Sequence, residues 1–129
     1  MIVSLVPVEY IDREWDHVAN LISKAVQRSG GRWDIGSVYE EVKAGYQQLF
    51  IVYDEDKQET KAAWTSKFLD YPGAKSLQTI FIGGSGYDEW FDEVNDFIRR
   101  WASENDCKFV ELPVMFVGEE NHHRRRLYP

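Results

Sequence analysis

An α/β domain on a mostly antiparallel central sheet flanked by helices is the fold class that the sequence predicts, and three observations predict it. Two segments, one running from Ile11 to a Ser29-Gly30-Gly31 stop and one over residues 88–103, carry apolar side chains at helical spacing. Between them, three extended runs at residues 48–53, 61–69 and 76–82 are joined by polar turns, as in a meander. A final extended run, residues 108–112, follows the second of these helices. At 129 residues and 43% hydrophobic content, the chain has material for one domain with a real core and too little for two. Residues 1–118 are assigned to that domain and 119–129 to a flexible basic tail.

Taken in order, residues 2–8 are β-branched and loosely alternating, a first strand that Pro7 confines to an edge or ends. Ile11, Trp15, Val18, Ile22 and Ala25 then recur at alternating steps of four and three, while Asp12, Arg13, Glu14, Asp16 and Lys24 fall elsewhere. Residues 33–45 predict a shorter helix with Asp34 or Ser37 as N-cap, Val38, Tyr39 and Val42 on one side, and Gly45 as the stop. Glu40 and Glu41 are neighbours on that helix, but adjacent side chains point about 100° apart and cannot share a proton or a metal. They read as solvated, as does His17 among its polar neighbours.

The wholly polar turn at residues 54–59 closes a hairpin. It lacks both the glycine and the distal glutamate of a calcium loop. Asp70-Tyr71-Pro72-Gly73-Ala74 is a second turn, leading into residues 76–82. The helix beyond carries Trp90, Val94, Phe97, Ile98 and Trp101 as a wide apolar stripe, opposed by Asp92, Glu93, Asn95, Asp96, Arg99 and Arg100. The last strand is expected beside the one that ends at Ile82.

Between that strand and that helix stands Gly83-Gly84-Ser85-Gly86. Glycines let the backbone approach a ligand without Cβ interference, and a helix start offers unpaired N–H groups to an anion. Two readings stay open: a turn that only joins strand to helix, or a phosphate-binding device formed by Ile82, Gly83, Gly84, Ser85, Gly86 and Tyr87.

Charge and composition narrow the function classes. A net charge of -7 opposes nonspecific nucleic-acid binding, and no apolar run approaches about 18 residues, so a membrane span is not expected. Cys107 is the lone cysteine, excludes an intramolecular disulfide and reads as an inert thiol. His122 and His123 lack a third ligand, so no metal is expected. The first residues carry no basic region ahead of their apolar run, which argues against a secretory signal and for a cytoplasmic protein.

The order strand, helix, helix, three-stranded meander, glycine turn, long helix, strand resembles the first two-thirds of the GNAT superfamily of acyl-CoA-dependent N-acetyltransferases, over residues 2–112. Gly30-Gly31-Arg32-Trp33-Asp34, Val38-Tyr39-Glu40, residues 45–54, Phe81-Ile82-Gly83-Gly84 and Glu89-Trp90 resemble, more narrowly, small GNAT-like proteins of tailed bacteriophages. The resemblance implies acetyl-CoA as cofactor, with its pyrophosphate on the backbone between the fourth strand and third helix, an amine as acceptor, and a host-cytoplasm location if phage-encoded. Glu111 is the candidate base by topology, and Tyr128 the candidate hydroxyl for protonating the departing thiolate.

Departures from the family pattern are equally specific. No basic residue stands between Lys75 and Arg99, and Asp88 and Glu89 add negative charge beside the expected pyrophosphate position. Residues 113–129 cannot supply a helix plus two strands, so the fold is expected to be C-terminally shortened. These departures leave open a GNAT-fold protein without turnover that serves as a binding, structural or host-takeover module, or as an acidic decoy of a basic surface. Residues 114–117, apolar and β-prone, are expected to fold back on the sheet or to pair with a second copy as a homodimer.

Overall fold

A computed structural model describes residues 1–112 of the protein. Its elements are β1 (Ile2–Leu5), a 3-10 turn (Val8–Tyr10), α1 (Ile11–Gln27), α2 (Ile35–Ala44), β2 (Gln48–Asp54), β3 (Glu59–Tyr71), β4 (Ala74–Gly84), α3 (Tyr87–Glu104) and β5 (Phe109–Glu111). The strands lie side by side in chain order; β1 to β4 pair antiparallel, and β5 joins β4 parallel. The expected shortening, the 119–129 tail, the 114–117 segment and Tyr128 lie outside the described residues.

The periodic stripes become the two faces of the sheet. Ile11, Val18, Ile22, Ala25 and Val26 of α1, with Val38 and Val42 of α2, cover Leu49, Ala63 and Phe81. On the other face, Trp90, Val94, Ile98 and Ala102 of α3 cover Phe50, Val52, Ala62, Trp64 and Leu77. There Phe50 and Trp64 stack 4.8 Å apart, and Phe97 and Trp101 meet Phe50 edge-on at 5.5 and 5.4 Å. Such offset and edge-to-face pairs suit the aromatic quadrupole.

Capping sets the helix limits. Asp34 and Ser37, alternative N-caps in the sequence, act together: the Ser37 N–H donates to Asp34 Oδ1 at 2.8 Å, and the Asp34 N–H donates to Ser37 Oγ at 3.1 Å. Gly45, at φ 84°, ends α2 in the left-handed conformation. The strands differ from their expected limits for local reasons. β3 and β4 run longer because the turn at Pro72-Gly73 is tight enough for pairing to reach Tyr71 opposite Ala74. β1 is shorter, since Pro7 has no N–H to continue a ladder and the chain coils into the 3-10 turn.

Helices α1 and α2 are pinned by an exposed cluster in which Asp12 accepts from the Tyr39 hydroxyl and from Lys43 Nζ, the latter at 3.1 Å. The Tyr39 hydrogen bond, then Lys43, holds the Asp12 carboxyl below the usual carboxylate range, and the same bond to Asp12 raises the Tyr39 phenol. The signs are opposite. Asp12 contributes stability above its unfolded pKa that is lost as pH falls through its lower folded value, while Tyr39 contributes stability below its unfolded pKa that is lost as pH rises through its higher folded one. Between about pH 5 and 9 both contributions should be present, and Asp12→Asn should flatten the acid-side fall in urea midpoint relative to the parent.

Candidate active site

The candidate site is the open edge of β4 together with the start of α3. β5 accompanies β4 only from Ser76 opposite Phe109 to Gln78 opposite Glu111. Beyond Gln78, among the described residues, β4 has a partner strand on the β3 side alone. The Ser85 N–H donates to the Lys61 carbonyl at 2.9 Å, which makes Lys61 and Ser85 a hydrogen-bonded pair of the antiparallel ladder. Such pairs alternate with non-bonded ones, and Ala62 stands opposite Gly84 and Trp64 opposite Ile82. The N–H groups of Ile82 and Gly84 therefore face away from β3, toward the open side.

A β-bulge prepares this edge. Thr65 pairs with Phe81 and Ser66 with Thr79, leaving Ile80 as the extra residue. An extra residue breaks the two-residue alternation and bends its strand. Both Ile80 and Phe81 accordingly pack with the core under α1.

The glycines divide by role. A Cβ on Gly83 would lie 2.0 Å from the Leu21 carbonyl oxygen of α1, and one on Gly84 would lie 2.3 Å from the Lys61 carbonyl oxygen and 2.5 Å from Ala62 Cα. Gly84 also holds φ at +151°. These two positions need glycine for packing, so a bulky residue at Gly84 breaks the β3–β4 contact and cannot serve as a clean probe of ligand binding. Gly86 differs: it is the left-handed N-cap of α3 at φ 68°, and a Cβ there meets only the flexible Glu89 carboxylate, at 3.2 to 3.4 Å. The loop is otherwise fixed, since the Ser85 carbonyl accepts from Trp90 Nε1 at 2.7 Å and the Gly86 carbonyl from the Glu89 N–H at 2.8 Å.

Of the candidate residues, Ile82 and Gly84 thus turn backbone N–H groups to the open side and Gly86 and Tyr87 stand at the start of α3, while the Ser85 N–H is spent on β3 and Gly83 is closed by α1. Glu111 lies at the other end of β4. Its carboxylate accepts from the Tyr71 hydroxyl at 2.9 and 3.1 Å and from Ser76 Oγ at 2.7 Å, beside a cavity of about 490 Å³ lined by Tyr71, Gly73, Ala74, Lys108, Phe109 and Val110. His17 is exposed and its Nε2 donates to the Thr60 carbonyl at 3.2 Å. Burial pushes the Cys107 thiol up, away from a nucleophilic thiolate. No cluster of three or more His, Cys, Asp or Glu side chains suited to a metal occurs among the described residues, and no described helix is long and apolar enough to cross a membrane.

No protein-family model and no curated protein sequence matches the chain. Solved structures do match. A probable acetyltransferase superimposes with a TM-score of 0.69 at 10% identity, over 99% of this chain and 86% of its own. The fold is that of the GNAT acetyltransferases. A ribosomal-protein-alanine N-acetyltransferase from Brucella melitensis biovar Abortus 2308 matches at 0.65 and 14% identity, over 99% of this chain and 88% of its own. A GNAT family acetyltransferase from Staphylococcus aureus matches at 0.62 and 11%, over 93% of this chain and 88% of its own.

Sequence reasoning overlooked Lys61. It supplies the carbonyl that anchors Ser85, and its ammonium stands 3.9 Å from Glu89 in the first turn of α3. Only strand pairing brings it there, and no local pattern announces it.

The glycine roles have a measurable order. Gly83→Ala should lower unfolding free energy by about 1–3 kcal/mol through overpacking against α1. Gly86→Ala should cost about 1 kcal/mol, for its positive φ alone. Urea denaturation of the two variants should rank Gly83→Ala as the more damaging; the reverse order would remove the packing account of Gly83.

Proposed function

We propose that the chain binds an acyl-CoA, acetyl-CoA in the first instance, at the open edge of β4 and the start of α3, and transfers the acetyl group to an amine. The observation that carries this reading is the row of backbone donors left unused by β3, at Ile82 and Gly84, continuing into the N-terminus of α3 at Gly86. The N–H groups of Gly86 and Tyr87 would hold the phosphates, helped by the helix dipole, and those of Ile82 and Gly84 would hold the remainder. A Cβ-free approach at Gly86 supports the fit of the backbone.

When bound, acetyl-CoA supplies an activated acyl group as a thioester. The chain's own part is to orient that group, to hold its carbonyl oxygen with backbone donors as charge develops there, and to take the amine proton. In this reading Glu111, oriented by Tyr71 and Ser76, is the base, and Tyr128 the acid. The acceptor is an amine whose class the fold neighbours leave open, since their names run from a ribosomal-protein alanine to glucosamine-6-phosphate.

One observation favours a second reading, a GNAT-fold binding module without turnover, such as the phage-encoded proteins that parts of the sequence resemble. The side chains of the glycine loop supply no cation, and Asp88 and Glu89 stand in the first turn of α3. Calorimetry with acetyl-CoA, followed by thiol release in the presence of an amine panel, tests both. Binding at micromolar affinity with thiol release is the outcome expected of the enzyme. Binding without release selects the module, and no heat at millimolar acetyl-CoA overturns the cofactor site.

A further inference from the structure

A second bulge, on β3, has placed a buried cation beside the glycine loop. Val52 pairs with Ala62 and Tyr53 with Thr60, so Lys61 is the extra residue. Bulges re-aim side chains. The Lys61 side chain reaches toward α3, where it is only 9% exposed, and its ammonium stands 3.6 Å from Glu59 Oε1 and 3.9 Å from Glu89 Oε2. Both distances exceed a hydrogen bond, and none to Lys61 Nζ forms among the described residues. The ammonium is therefore charge-balanced by two carboxylates at ion-pair distance and bound tightly to neither.

Glu89 is the other half of the arrangement. Its carboxylate folds back over its own helix start and sits 3.2 to 3.4 Å from where a Gly86 Cβ would be. Half of that side chain is exposed, so it can swing out into solvent. One carboxylate thus lies beside both Gly86, the N-cap of α3, and the buried ammonium, without accepting a capping hydrogen bond from the helix start. That is the position of an anion.

We propose that Lys61 and Glu89 form a charge gate on the phosphate end of the site, an inference that rests on the acyl-CoA reading above. In the free protein the Glu89 carboxylate stands in for the ligand's anionic group at the helix start. When a diphosphate-bearing ligand enters, Glu89 swings outward and Lys61 passes from it to a phosphate oxygen. The gate explains how a loop with no basic residue receives a diphosphate: the cation comes from β3, through the bulge. It also sets selectivity, because a ligand without phosphate charge has nothing to offer Lys61 in exchange for Glu89.

The test is calorimetry of the full chain with coenzyme A and, separately, with pantetheine, which lacks the phosphates. Glu89→Gln keeps the shape and removes the competing charge; it should tighten coenzyme A about tenfold and leave pantetheine unchanged. Lys61→Met should weaken coenzyme A about tenfold, again without effect on pantetheine. Coenzyme A affinity equal to the parent in Glu89→Gln, or unchanged in a Lys61→Met protein that melts normally, overturns the gate while leaving the cofactor site standing. Should Lys61→Met fail to fold, the exposed Glu89→Gln alone decides. If neither the parent nor Glu89→Gln binds coenzyme A at millimolar concentration, the acyl-CoA reading falls and the gate falls with it.

Discussion

The structure depends on a pinch in which β4 is held between α1 on its face and β3 at its side with no room for a side chain. Leu21 of α1 and Lys61 of β3 present carbonyl oxygens within 2.0 and 2.3 Å of where Cβ atoms would be on Gly83 and Gly84. Because interiors are close-packed, helix and strand at this point can move only together. The pinch fixes where β4 ends and thereby where α3 begins. The exit is then secured by the Ser85 backbone, bonded to Lys61 through its N–H and to Trp90 through its carbonyl. A glycine-rich turn that looks like ligand chemistry is first a packing device, and the donors offered to a ligand are those that packing leaves over.

Much of this was legible because helices announce themselves twice, in the spacing of their buried residues and in their caps. The α1 stripe of Ile11, Val18, Ile22 and Ala25 is buried as its spacing implies, and Asp34, Ser37 and Gly45 mark the ends of α2. The meander was legible from its turns, and β5 does lie beside β4. What was not legible is where the two-residue alternation slips. Ile80 and Lys61 are the extra residues of the two bulges, and nothing in their neighbourhoods distinguishes them from the regular strand residues around them. A bulge is chosen by the fit of twisted strands to one another, a tertiary constraint. The bulge that sets the Lys61 side chain beside Glu89 was therefore hidden from the sequence.

The same limit applies to buried polarity. Gln47, Thr65 and Thr79 are almost fully buried, and Gln47 Oε1, Thr65 Oγ1 and Thr79 Oγ1 have no protein partner among the described residues. In an apolar interior an unpaired oxygen is costly, and such groups are commonly met by an ordered water. Thr65 and Thr79 flank the Ile80 bulge in register, Thr65 opposite Phe81 and Thr79 opposite Ser66. Irregular backbone and unpaired hydroxyls thus coincide in the middle of the sheet, at the level where β4 parts from the strand beside it.

Glu111 shows why that parting lies where it does. Ser76 Oγ donates to its carboxylate at 2.7 Å and stands 3.3 Å from the Phe109 carbonyl, so one hydroxyl engages both ends of β5; Tyr71 holds the same carboxylate from β3. The parallel pairing is only three residues long, too short to hold by its ladder alone, and these hydroxyls clasp it at the base. Above the clasp nothing comparable joins the described part of β5 to β4, and the Ile80 bulge bends β4 on its own course. A carboxylate that serves as clasp is already committed to two hydroxyl donors, Tyr71 and Ser76. Under the proposal that Glu111 is the base, a proton taken from an acceptor amine would land on the same two oxygens that keep β5 in place.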